Sequence, residues 1–256
     1  MRIDLGGNQS PTRYLRSISP MEKIPDTGAK SRPASPMPSV AQKRERFVSR
    51  AKIVVFVLAS LPFAALLLRA FQGDLGANPV EEITHVTGEW ALRLLIVTLM
   101  ITPLRHLIGA VWPTRLRRML GLFAFFYLLM HFLTYAILDA SLDPAYIVQD
   151  VIDRLYITAG FAAFLMLIPL AITSTNAMVR RMGPVRWRRL HRLAYPAAIA
   201  GALHFLWLVK ADKGEPLIYA SILALLLVAR LPPLSRRLQA LGNLRKTRLA
   251  APKATP

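Results

Sequence analysis

Six largely apolar runs divide this chain, and short stretches dense in charge separate them. They cover residues 53–68, 87–104, 119–138, 155–178, 193–209 and 217–231. None alternates polar and apolar positions, so each reads as a helix that closes its own backbone hydrogen bonds rather than as a barrel strand. A hydrocarbon core about 30 Å thick needs about 20 helical residues. The third, fourth and fifth runs meet that length. The first and sixth are short, and Glu89 and Arg93 interrupt the second. These three need snorkelling end residues or local thinning of the bilayer. Pro62, Pro103, Pro169 and Pro196 lie within or near the ends of runs. A membrane helix tolerates them where a neighbour covers the carbonyl that proline frees. The pattern predicts an all-α membrane protein, a six-transmembrane-helix bundle.

The loops give a direction. Arg105, Arg115, Arg117 and Arg118 follow the second run. Arg180, Arg181, Arg186, Arg188, Arg189 and Arg192 follow the fourth, and Arg236, Arg237, Arg245, Lys246 and Arg248 the sixth. The alternate loops carry Asp74, Glu81 and Glu82, then Asp139, Asp143, Asp150 and Asp153, and the last is mixed. Basic loops stay inside, so both termini are expected in the cytoplasm. Residues 1 to about 45 are rich in Pro, Ser, Arg and Lys without periodicity. They read as a disordered cytoplasmic segment rather than a signal peptide. The expected division is 1–45 as this segment, 46–235 as the membrane domain and 236–256 as a basic cytoplasmic tail.

Composition narrows the chemistry. Of 256 residues, 54% are hydrophobic, enough for one polytopic domain and too many for a soluble fold. The net charge of +19 would suit nucleic acid, but the basic residues sit between runs and at the ends. That is a topology signal rather than a phosphate-binding face. There is no cysteine. Disulfides, thiolate nucleophiles, cysteine-held iron–sulfur clusters and covalent haem attachment are thereby excluded.

Two histidines stand out against this background. His131 lies 13 residues beyond Arg118, and His204 lies 12 beyond Arg192. Both runs leave the inner edge in the same direction, so the two imidazoles sit roughly 20 Å and 18 Å deep at 1.5 Å per residue. An ionisable group at such depth is expected to be functional. Two at one depth suit bis-histidine ligation of a b-type haem iron. The plainer reading, a polar side chain hydrogen-bonded to a neighbouring helix, stays open for each. His191 lies at the inner edge, 13 residues before His204. A straight helix would put the two on different faces, about 20 Å apart. It suits a second, inner haem, a propionate or flavin phosphate, or merely an interfacial position among arginines. His106 and His85, at the inner and outer ends of the second run, are weaker candidates. The arginines of 180–192 are explained by topology, and would also suit propionates or a phosphate.

Particular strings add a resemblance. They are Gly76-Ala77-Asn78-Pro79-Val80, Arg117-Arg118-Met119-Leu120-Gly121-Leu122 leading to His131-Phe132-Leu133-Thr134-Tyr135-Ala136, and Thr173-Ser174-Thr175-Asn176-Ala177-Met178. With them go Trp187-Arg188-Arg189-Leu190-His191-Arg192-Leu193-Ala194-Tyr195 and His204-Phe205-Leu206-Trp207-Leu208-Val209-Lys210. In order and spacing, over roughly residues 50–235, the chain resembles the MsrQ (formerly YedZ) family. These are haem-binding membrane subunits of bacterial periplasmic methionine sulfoxide reductase systems, with a ferric-reductase-like transmembrane domain. The resemblance implies haem b, with FMN as a further cofactor, and His131, His191 and His204 as haem-iron residues in an open pairing. It also implies a bacterial inner-membrane location and a periplasmic molybdopterin-containing partner, MsrP. The electron donor would be the quinone pool or a cytoplasmic flavin reductase.

The wider ferric-reductase and NADPH-oxidase superfamily places two histidines on each of two helices and appends a nucleotide-binding domain. Here Arg118 stands 13 residues before His131, and no glycine-rich dinucleotide fingerprint occurs. Electrons must be loaded by another protein or by quinol. The expected role is a non-catalytic electron-transfer subunit, since no catalytic constellation for sulfoxide reduction is present. A haem reductase with another acceptor is the nearest alternative. A small transporter, colourless when purified, is the remaining one.

Overall fold

The regular elements are all helices in the computed structural model, which describes residues 40–250. Helix α1 (Val40–Phe71) begins inside the segment expected to be disordered; the rest of that segment, residues 1–39, lies outside the described residues. Helix α2 (Pro79–Ile108) is longer than the run of 87–104, because its ends are strongly signalled. The Asn78 side chain accepts from Glu81 N–H, Pro79 opens the first turn, and Gly109 closes the helix in a left-handed conformation (φ 67°).

Helix α3 (Arg117–Thr134) runs into a π-turn at Tyr135–Asp139. Asp143 then caps α4 (Pro144–Asp153), accepting from Ala145 N–H at 2.9 Å. Helix α5 (Leu155–Ile172) stops short of the expected Met178. The Thr173 hydroxyl bonds back to the Pro169 carbonyl at 2.6 Å, and Thr175 caps a separate α6 (Asn176–Met182). Helix α7 (Pro184–Leu190) and a 3₁₀ turn at His191–Leu193 precede α8 (Ala194–Leu208). His191 and His204 therefore do not share one straight helix, as the sequence had suggested. Helix α9 (Gly214–Val228) bends by 81° into α10 (Pro232–Ala250).

All six apolar runs are helical. Among the described residues four helices are long and apolar enough to cross a bilayer alone: α1, α2, α5, and α3 with its π-turn. The bent α9–α10 pair is a fifth candidate. Helix α8 has 15 residues, about 22 Å at the helical rise.

The bundle is centred on α2, whose Leu92, Leu95 and Leu99 are buried against Ala124 and Tyr127 of α3 and Ala197 and Ala198 of α8. Small residues let helices approach closely where lipid supplies no hydrophobic drive. Two prolines are repaired by side chains from elsewhere in the bundle: Tyr127 on α3 and Arg230 in the turn between α9 and α10. Pro62 disturbs α1, and the fully buried Tyr127 hydroxyl enters beside it, accepting from Phe63 N–H (3.0 Å) and donating to the Ala59 carbonyl (2.7 Å). Pro103 has no N–H for the Leu99 carbonyl one turn earlier. Arg230 donates to that carbonyl instead, and to the Tyr195 hydroxyl.

Candidate functional site

A cavity of about 580 Å³ opens between α2, α3, α5 and α8. Leu92, Leu95, Ala124, Leu167 and Ala197 form its apolar walls, and His131 and His204 face it from α3 and α8. Its volume falls in the range of cofactor and ligand sites.

The two imidazoles meet here. Their ring centroids are 6.0 Å apart, with the planes turned by 81°. His131 Nδ1 lies 2.9 Å from the Thr84 carbonyl on α2, and His204 Nδ1 lies 2.7 Å from the Tyr156 carbonyl on α5. A carbonyl can only accept, so each Nδ1 carries the hydrogen. Each Nε2 is left with a free lone pair, the state in which imidazole binds a metal. A glycine lies beneath each ring, Gly88 for His131 and Gly160 for His204. The shared depth read from the sequence thus becomes proximity between facing helices.

The rim is acidic, with Glu81, Glu89, Asp139 and Asp150. Among the described lining residues Arg154 is the sole lysine or arginine, and His85 also lines the rim. Asp150 is 6% exposed and holds two partners. Arg154 Nε sits 2.9 Å from its Oδ1, and the Tyr135 hydroxyl donates to its Oδ2 at 2.9 Å. The π-turn aims Tyr135 at this carboxylate. Beside the rim Arg93 does not merely snorkel. It bonds Glu89 (2.8 Å), Glu215 (3.2 Å) and the Tyr219 hydroxyl (2.6 Å), tying α2 to α9.

His191 stands outside the cavity's lining. Its Nε2 is 3.1 Å from the Thr173 hydroxyl, and its ring stacks on Trp187 at 3.8 Å. The Trp187 indole N–H in turn donates to the Thr173 carbonyl at 2.9 Å. Burial, and then the nearby Arg117 and Arg118 guanidiniums, hold the His191 imidazole down at about 4, so it is neutral at pH 7. Arg118 reaches Asn176 Oδ1 at 2.5 Å. His106 lies near the end of α2, where its carbonyl borders Gly242 of α10.

Known proteins place this architecture. Residues 87–202, which include α3, α5, most of α2 and the first part of α8, match the ferric reductase like transmembrane component family. A protein-methionine-sulfoxide reductase heme-binding subunit MsrQ of Rhodospirillum rubrum is 52% identical over 199 residues, covering 78% of this chain and 94% of its own length. The protein of that name from Ralstonia nicotianae is 50% identical, covering 70% and 83%. The one from Xanthomonas oryzae pv. oryzae is 47% identical, covering 80% and 95%. The chain belongs to the MsrQ family. As a member of that family it is a membrane protein with a ferric-reductase-like transmembrane domain.

The site contains residues that the sequence did not assign to it: Gly88, Gly160 and Arg154, with Asp150, which appeared only as a loop charge, and Tyr135, which appeared only within a matched string. A glycine inside an otherwise apolar helix signals close approach by another group. Asp143-Pro144 is a cap followed by a first-turn proline, a sign that the acidic loop contains a helix.

Proposed function

We propose that this chain is a membrane electron-transfer haem protein whose outer haem iron is held by His131 and His204. The observation that carries the reading is the imidazole pair, with Nε2 free on both rings and centroids 6.0 Å apart. At that separation the two rings would hold one iron between them through Nε2. The apolar cavity between the helices fits a flat macrocycle. When bound, haem supplies a one-electron iron couple.

The chain's own groups set the conditions for that couple. The Thr84 and Tyr156 carbonyls fix both tautomers and orient both rings. Leucines and alanines keep water from the ligands. Arg154, held by Asp150 at the rim, is placed to face the haem carboxylates. His191 stands apart from the pair with its Nε2 on the Thr173 hydroxyl, and it is the residue that would serve a second, inner iron. FMN, which the resemblance also implies, would lie toward the inner edge, where His191 and the arginines of 180–192 would face its phosphate.

Relatives named as subunits of methionine sulfoxide reductase support the wider assignment. The chain passes electrons outward across the bacterial inner membrane, with both termini cytoplasmic. The donor is the quinone pool or a cytoplasmic flavin reductase. The acceptor is the periplasmic molybdopterin-containing MsrP subunit, docked at the acidic outer end. In membranes carrying this chain and its reductase partner, sulfoxide reduction should proceed. It should fall about 100-fold in His131→Ala or His204→Ala, the upper end of losses at metal sites. Unchanged turnover with either variant contradicts the reading; haem retention with turnover only on a different acceptor favours another haem reductase.

A further inference from the structure

The two histidines are mounted by the same device, used twice. On α2 the Thr84 carbonyl takes the Nδ1–H of His131, and four residues on comes Gly88. On α5 the Tyr156 carbonyl takes the Nδ1–H of His204, and four residues on comes Gly160. In each case the imidazole of one helix reaches over a bare glycine to a carbonyl one turn earlier on its neighbour. A methyl group at Gly88 would stand 2.9 Å from His131 Nδ1, and one at Gly160 would stand 2.8 Å from His204 Nδ1. Ordinary contact begins at about 3.5 Å. An added Cβ therefore drives each ring off its carbonyl by about 0.6–0.7 Å, more than the roughly 0.5 Å that a pre-organised site tolerates. Gly121 and Gly201 are not under this demand: the nearest atoms would be Thr98 Cγ2 and Leu92 Cδ1, each at 3.8 Å.

We propose that Gly88 and Gly160 are paired positioning residues that set both the retention and the potential of the haem. The inference rests on the ligand reading above. A carbonyl drawing on Nδ1–H makes the opposite nitrogen a stronger donor, which favours the ferric state. Without the glycine the ring retreats, the bond to the carbonyl lengthens, and the iron becomes easier to reduce.

The test compares purified wild-type protein with Gly88→Ala, Gly160→Ala and, as a control for alanine in a membrane helix, Gly121→Ala. Haem per protein, midpoint potential and the melting temperature of the haem-free form are measured. The expected result is an about tenfold weaker hold on haem in each cavity variant and a higher midpoint potential for what remains. Gly121→Ala should match the wild type, and the haem-free melting temperatures should all agree. Wild-type haem content and potential in both cavity variants would overturn the proposal. So would aggregation or a lowered haem-free melting temperature in both, which would mark the glycines as packing residues only. A wild type that takes up no haem would instead refute the ligand reading itself.

Discussion

At the scale of single residues, Tyr127, His131 and His204 are each held inside the apolar bundle by backbone groups of a neighbouring helix. The hydroxyl of Tyr127 occupies the gap that Pro62 opens in α1, bonding Phe63 N–H and the Ala59 carbonyl. Removing it leaves two buried backbone groups without a partner. Tyr127→Phe should therefore lower unfolding stability in detergent by about 1–3 kcal/mol. In a Pro62→Ala background, where α1 can close its own ladder, the loss should shrink. An equal loss in both backgrounds would show that the ring, not the hydroxyl, matters. His131 and His204 were legible in the sequence because arginines mark the inner edge and each residue adds a fixed rise. Gly88 and Gly160 were not, because a glycine records only that something comes close. The identity of the neighbour depends on how α2 meets α3 and α5 meets α8.

At the scale of elements, the apolar runs were legible and their ends were not. Continuous hydrophobicity places six helices, but hydroxyls and prolines decide where they stop. Thr173 and Thr175 split the fourth run into α5 and α6. The 3₁₀ turn at His191–Leu193 separates His191 from α8. Arg230 belongs to this scale, since it ties the end of α9 to α2 and α8 through the Leu99 carbonyl and Tyr195. Arg230→Met should destabilise the fold by about 1–3 kcal/mol, because the Leu99 carbonyl is left bare. Adding Pro103→Ala restores a backbone N–H to that carbonyl and should recover part of the loss, read as melting temperature. No recovery would mean that the Tyr195 contact carries the effect.

At the scale of the whole molecule, the proposed orientation, argued from the alternation of basic and acidic loops, puts the cavity rim at the outer end and the arginine-rich turns at the inner. The chain has no cysteine, so single cysteines report topology without background. Ser141→Cys, in the turn before α4, should react with a membrane-impermeant thiol reagent on intact spheroplasts. Ser235→Cys, in α10, should react only after permeabilisation. The reverse pattern would invert the electron path. The same whole-molecule logic brings His131 and His204, 73 positions apart (204 less 131), to the same cavity. The account stands or falls on that pair. Its most direct test is a reduced-minus-oxidised visible spectrum of the detergent-purified protein beside His131→Ala and His204→Ala. The account predicts a b-type α-band in the wild type and the loss of most of it in both variants. A colourless wild type expressed with ample haem, or a full band in either variant, would contradict it.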